Sequence, residues 1–135
     1  MPGRMIKILI IDDNKDLCRL IKYFFHSLGN YKVLIAEGGD IGSWLASCRW
    51  HKPDIILLDI RMPRIDGFEV LRRLRKGKNT MLTPVIMLTA LGDPASRVKA
   101  EGLYCDDYIV KPADPATLKS KVESVLAQRG IIPRK

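Results

Sequence analysis

The sequence is poor in the features that mark several large classes of protein. Three cysteines, Cys18, Cys48 and Cys105, are too scattered for a zinc site and odd in number for a disulfide framework. They read as buried free thiols in a reducing cytosol. No apolar run exceeds the length of a strand, so nothing here is built to span a membrane. The N-terminal "MPGRMIKILIIDD" lacks the small-residue cleavage site of a secretory signal, and its apolar stretch runs straight into acids. There is no internal repeat, no low-complexity stretch, and no helix-turn-helix pair or aromatic-studded basic strand for reading nucleic acid directly. Acid is also in the minority: 15 Asp and Glu face 23 Lys and Arg, a net charge of +8. Much of the excess lies in "LRRLRKGK" (71–78) and the tail "QRGIIPRK", which read as a solvated helix face and a basic tail.

What remains is an ordinary globular composition, 47% hydrophobic and 28% charged, over 135 residues, enough for one domain with one core. "MIKILII" (5–11) predicts a strand buried on both faces, with further strands at "YKVLIAE" (31–37), "DIILLD" (54–59), "PVIMLTA" (84–90) and "DYIV" (107–110). Helical patterns alternate with them. Leu17, Leu20, Ile21, Phe24 and Leu28 form the first apolar stripe, with Gly29 as its stop. The second helix is expected over 40–50 with Asp40 as its N-cap, and core or edge packing is expected for Trp44 and Trp50. The third runs over 66–75 with Phe68, Val70, Leu71 and Leu74 inward. The fourth covers 93–102 with Pro94 in its first turn. The last, 114–130, has an Asp cap, a proline at N1 and a Leu118–Val122–Val125–Leu126 stripe. Strictly alternating strands and helices imply an α/β fold: a doubly wound, five-stranded parallel sheet covered on both faces by five helices.

In such a sheet all strand C-termini share one edge, where ligands bind. Those ends are Asp12 and Asp13 after the first strand, Asp59 after the third, Thr89 with Ala90 after the fourth, and Lys111 with Pro112 after the fifth. Three acids brought together repel one another, and a hard divalent cation such as Mg²⁺ relieves that. Beside a cation and the Lys111 ammonium, Asp59 stays ionised and can attack phosphorus to form an acyl phosphate. Thr89 can then donate to a phosphoryl oxygen. Pro63 and Gly67 shape the loop that follows Asp59.

With "ILIIDDNKD", "PDIILLDIRMPRIDGFEVLRRLR", "TPVIMLTA" and "DDYIVKP" in that order and spacing, the chain closely resembles the receiver domain of two-component response regulators, the CheY-like family, over about residues 5–127. The resemblance implies a flavodoxin-like strand order of 2-1-3-4-5, a receiver domain over 1–130, and a basic tail or start of a linker over 131–135. It implies Asp59 as phosphoacceptor, served by a histidine kinase or phosphotransfer protein. Mg²⁺, with Mn²⁺ able to substitute, would be held by Asp13, Asp59 and the backbone carbonyl of Arg61, and by Asp12 through water. Lys111 would pair with phosphate, Pro112 would follow a cis peptide, and Thr89 with Tyr108 would form a switch pair acting on the helix 4–strand 5–helix 5 surface. Small Ala90 leaves the site open. A homodimer through that surface, with Asp106 and Asp107 opposite Lys119 or Lys121, is a weaker expectation. Nucleic acid would be met only through an output domain outside this chain, and the setting would be cytoplasmic.

The sequence departs from the pattern at "GLYCDDY", where Tyr104 and Cys105 stand in place of a Gly-Ala pair and suggest an altered turn. Ala113 replaces a large apolar residue, and Arg61 and Leu91 flank the acceptor. Three other readings stay open. An aspartate-nucleophile phosphatase wants a second acid two residues after Asp59, where Arg61 stands. A flavin or nucleotide carrier wants glycines and hydroxyls where "DDNKD" stands. A pseudo-receiver, acting only as an interaction module, would tolerate loss of the acid–Thr–Lys set that is complete here.

Overall fold

The computed structural model describes residues 3–47 and 49–133. Five strands, β1 (Ile6–Ile11), β2 (Tyr31–Ala36), β3 (Ile55–Leu58), β4 (Val85–Thr89) and β5 (Asp107–Val110), alternate with five helices. These are α1 (Lys15–Ser27), α2 (Gly39–Ser47), α3 (Gly67–Lys76), α4 (Pro94–Gly102) and α5 (Pro115–Gln128), with a 3₁₀ turn at Arg49–His51. All strand pairs are parallel, in the order β2-β1-β3-β4-β5. Successive side chains of a strand point to opposite faces. Ile6, Ile8 and Ile10 therefore meet Cys18, Ile21 and Phe25 of α1 and the inner stripe of α5. Leu9 and Ile11 turn the other way, toward Ala46 of α2, Leu71 of α3 and Ala100 of α4. Both faces are covered, so the central strand β3 reads as an unbroken apolar run. Each fully buried Ile or Leu contributes on the order of 1.5–3 kcal/mol.

Local chemistry sets the helix starts. Asn14, Asp66, Asp93 and Asp114 cap α1, α3, α4 and α5, each accepting a backbone N–H three residues on. Pro94 and Pro115 follow their caps at positions where no helix donor is lost. Gly29 beyond α1 and Gly130 beyond α5 take positive φ of 82° and 69°. Residues 131–133 fold back: Ile131 packs on the α1/α5 face and Arg4 bridges Pro133.

Several expectations need correction. The helix after β2 begins at Gly39 and ends at Ser47, so Asp40 lies inside its first turn rather than at its cap. Trp44 and Trp50 do not pack: they are 63% and 87% exposed. Leu20, placed in the inward stripe of α1, is 68% exposed, because the buried face follows Cys18, Ile21 and Phe25 instead. Cys18 is a buried free thiol, but Cys105 is only half-buried, and Cys48 lies outside the described residues. Burial pushes the Cys18 thiol up to about 12 and that of Cys105 to about 11. Four strands are slightly shorter than their apolar runs, which continue into the connecting segments.

The caps carry a pH signature. Hydrogen bonds from Ser96 and Thr117 hold the Asp93 and Asp114 carboxyls below their usual 3.8. A carboxyl whose folded value is depressed stabilises fully above its unfolded value, and that contribution disappears as pH falls through the folded one. Replacing both by Asn keeps the caps and removes the charge. Urea denaturation should then show a stability that declines less between pH 5 and 3 than that of the parent, with little difference at pH 7.

Candidate functional site

The parallel register carries the ends of β1, β3, β4 and β5 to one edge of the sheet. Asp12 follows β1 and is 1% exposed, although its side chain is a carboxyl. It is held by three neighbours: the Asn14 N–H donates to its Oδ1 at 2.9 Å, Lys111 Nζ donates to its Oδ2 at 2.7 Å, and the Cys18 thiol faces its backbone carbonyl at 3.6 Å. Asp59, at the end of β3, is nearly as buried, and Lys111 Nζ lies 3.6 Å from its Oδ1. Asp13 is exposed at the rim. One carboxylate oxygen from each of Asp12, Asp13 and Asp59 lies within 4.8 Å of the others. The residues that sequence reasoning drew from separate strand ends thus stand together.

Thr89 is fully buried at the end of β4, and its hydroxyl accepts from the Leu91 N–H at 3.2 Å. Tyr108 is 4% exposed: its ring lies inside, its hydroxyl donates to the Leu91 carbonyl, and the Arg97 guanidinium covers the ring at 5.6 Å. Leu91 therefore joins Thr89 to Tyr108 through its backbone, a role its side chain does not signal. Ala90 is exposed, and the Lys111–Pro112 peptide is cis. Arg61 is exposed on the loop after β3, and its carbonyl accepts no backbone hydrogen bond among the described residues. Beside this loop is an open cleft of 500 Å³ flanked by Arg61, Met62, Phe68 and Leu91.

Charge balance decides what the site can hold. Burial pushes the Asp59 carboxyl above its usual value, and Asp12 and Asp13 add to that. The Lys111 ammonium and the Ile60 N–H oppose it. One ammonium against three carboxylates leaves an excess of two negative charges when all are ionised. Hard oxygen donors, close spacing and uncompensated charge fit a small divalent cation such as Mg²⁺.

Comparison with known proteins agrees with this geometry. The family described as Response regulator receiver domain matches residues 8–123. This chain belongs to the response regulator receiver family. Among curated relatives, the probable transcriptional regulator ycf27 of Guillardia theta is 36% identical over 120 residues, covering 89% of this chain and 45% of that protein. The alkaline phosphatase synthesis transcriptional regulatory protein PhoP of Bacillus subtilis is 34% identical, covering 93% of this chain and 50% of that protein. The receiver thus spans about half the length of the curated relatives it matches. Among solved structures, Vibrio cholerae chemotaxis protein CheY4 superposes with a TM-score of 0.83 at 28% identity, covering 90% of this chain and 99% of that one. The receiver domain of the Francisella response regulator 1452 gives 0.82 at 30%, covering 92% and 98%. Receivers bind Mg²⁺ at an acidic cluster and are regulators rather than metabolic enzymes.

At the departures from the family pattern the structure is specific. Tyr104 takes φ of 65°, the left-handed conformation that glycine adopts freely and a tyrosine adopts at a cost of about 1–3 kcal/mol. The turn keeps a glycine-like backbone despite the larger side chain, which points into solvent. It is clasped by Arg75, whose guanidinium donates to the Tyr104 carbonyl at 3.0 Å and to the Thr83 carbonyl at 2.7 Å. Asp106 pairs with both Arg75 and Arg129, and its Oδ2 accepts from the Val85 N–H. This clasp joins α3, β4, β5 and α5. Sequence inspection missed it, because Arg75 stood in what read as a solvated helix face and Arg129 in what read as a basic tail.

Gly67 explains the turn after Asp59. Its N–H donates to the Ile60 carbonyl at 2.7 Å, and a methyl at its Cα would overlap the Asp59 carbonyl oxygen. Gly67→Ala should lower stability by about 1–3 kcal/mol in urea denaturation, as overpacking against backbone does. Gly38→Ala, where an added methyl meets nothing within 4 Å, should stay within about 0.5 kcal/mol of the parent.

Proposed function

We propose that this receiver is a phosphorylation-controlled switch whose acceptor is Asp59. The observation that carries the reading is the meeting of Asp12, Asp13 and Asp59 beside the single Lys111 ammonium. In the proposed step a carboxylate oxygen of Asp59 attacks the phosphorus of a phosphohistidine on a kinase or phosphotransfer protein. The new O–P bond forms as the P–N bond breaks, and the released imidazole takes up a proton from water. Lys111 stabilises the charge gathering on the phosphoryl oxygens. Asp13, Asp59 and the Arg61 carbonyl would hold Mg²⁺, with Asp12 contacting it through water; bound there, the ion would supply further charge neutralisation. Asp12 also fixes Lys111 in place.

The response would begin at Thr89. Once a phosphoryl group arrives, the Thr89 hydroxyl gains an anionic acceptor and gives up its bond with the Leu91 N–H. The same loop accepts the Tyr108 hydroxyl, so the β4–α4 connection and the α4–β5–α5 surface respond together. Pairing of two receivers through that surface is the corresponding output. Within one chain Lys121 already pairs with Asp107 at 3.2 Å and Lys119 with Glu123 at 3.5 Å, so dimerisation would exchange contacts that are satisfied in the monomer. The relatives named as transcriptional regulators are about twice this length, and control of transcription through an attached output domain follows only in such a context.

Incubation with acetyl phosphate and Mg²⁺ should add the mass of one phosphoryl group. Asp59→Asn should show no gain, and omission of Mg²⁺ should abolish it. Lys111→Ala should slow the reaction by on the order of 10²-fold. Equal labelling of Asp59→Asn and the parent would place the acceptor elsewhere. Complete failure of a folded, Mg²⁺-supplied parent to react would favour the pseudo-receiver.

A further inference from the structure

The two features that the switch does not use lie at its opposite end. One is a group of unpaired lysines, and the other is the exposed indole of Trp50. The N-terminal ends of the strands and the C-terminal ends of the helices form this pole, away from Asp12, Asp13 and Asp59. Lys52, Lys76 and Lys78 are exposed there, and none has an ion-pair partner among the described residues. The nearby acids are already engaged: Asp54 pairs with Arg4 at 2.5 Å, and Asp106 pairs with Arg75 and Arg129. Lys52, Lys78 and Arg4 flank one cleft of 320 Å³, whose floor includes Pro53 and Thr83. Trp50 stands two residues before Lys52 on the 3₁₀ turn, 87% exposed. Leaving so large an apolar ring in water forgoes the stabilisation that burial would bring.

We propose that this pole binds single-stranded nucleic acid, with Lys52, Lys76 and Lys78 contacting successive phosphates and Trp50 stacking on an unpaired base. Unpaired cations beside an exposed aromatic ring are the two components that sequence-tolerant binding of single strands requires. A duplex offers the phosphates but keeps its bases stacked on one another. An acidic peptide offers charge without a flat π-surface for the indole. The carboxylates of the phosphorylation site lie at the other end of the sheet, where they do not repel a bound strand. This inference is independent of the role assigned to Asp59.

The test is fluorescence anisotropy of the full chain with labelled dT12, with a 12-base-pair duplex and poly-glutamate as comparison probes. Three phosphate contacts predict a slope of log affinity against log salt of about −2, so raising salt from 50 to 200 mM should weaken binding about 20-fold. Trp50→Ala should weaken dT12 binding by at least about fivefold, with Trp50→Phe retaining most of it. Lys52→Glu combined with Lys78→Glu should weaken both nucleic-acid probes. Unchanged thermal denaturation and unchanged labelling by acetyl phosphate would show these variants to be folded. No binding of dT12 at 50 mM salt overturns the proposal. Equal binding of dT12 and poly-glutamate, or binding indifferent to Trp50→Ala, does the same, because each leaves only general attraction to polyanions.

Discussion

The contact on which the site depends is the one between the Lys111 ammonium and the Asp12 carboxylate, 2.7 Å apart in surroundings almost closed to water. A charge so buried is tolerated only when paired and hydrogen-bonded. Asp12 has both kinds of support, from Lys111 and from the Asn14 N–H. The ammonium also reaches Asp59, where it opposes the burial and the neighbouring acids that push that carboxyl's pKa up. Breaking such a buried pair from one side typically costs about 3–5 kcal/mol. The geometry follows from the sheet: in a parallel arrangement the C-terminal ends of β1 and β5 share one edge, so residues 99 positions apart meet there on rigid strands.

That explains why so much of the site could be read from the chain alone. Asp12, Asp59, Thr89 and Lys111 each stand at the end of an apolar run, and run and polar terminus are local signals. The topology rule for parallel sheets then supplies the long-range information. The backbone caps Asp93 and Asp114 were equally visible, since a carboxyl before proline at a helix start is a short-range pattern. What sequence could not convey was the rotation of individual helices. In α1 the periodicity admitted Leu20 to the inner stripe, yet the helix turns Cys18 and Phe25 inward and leaves Leu20 outside. In α2, Gly42 fits against the Ile11 side chain, and the close approach it allows turns Trp44 outward. Hydrophobicity alone favoured the opposite placement.

The molecule is also polarised end to end. Acidic caps and the three site carboxylates gather where the helices begin, while unpaired lysines gather where α3 ends and ahead of β3. The acidic caps thus lie at helix starts and Lys76 at a helix end, each where the partial charge opposes it. A net charge of +8 consequently says little about the edge that holds Asp12, Asp13 and Asp59, which is locally negative. Electrostatics can thus serve two ends of one small domain in opposite ways.

The attachment of α4 has a consequence for how a signal would spread. Ala100 is the buried residue of this helix, and Val98 faces solvent at 67% exposure. Beyond that, the helix is tied down by charge over aromatic rings: Lys99 Nζ sits 4.4 Å above the Phe68 ring, and Arg97 lies over Tyr108. Such contacts hold a helix with far less free energy than an interlocked apolar face. In native-state hydrogen exchange α4 should form its own low-energy opening unit, with amides that trade protons well before those of α1 or α5. A signal arising at the Asp12–Asp13–Asp59 edge would then travel as a change in how often this helix is in place.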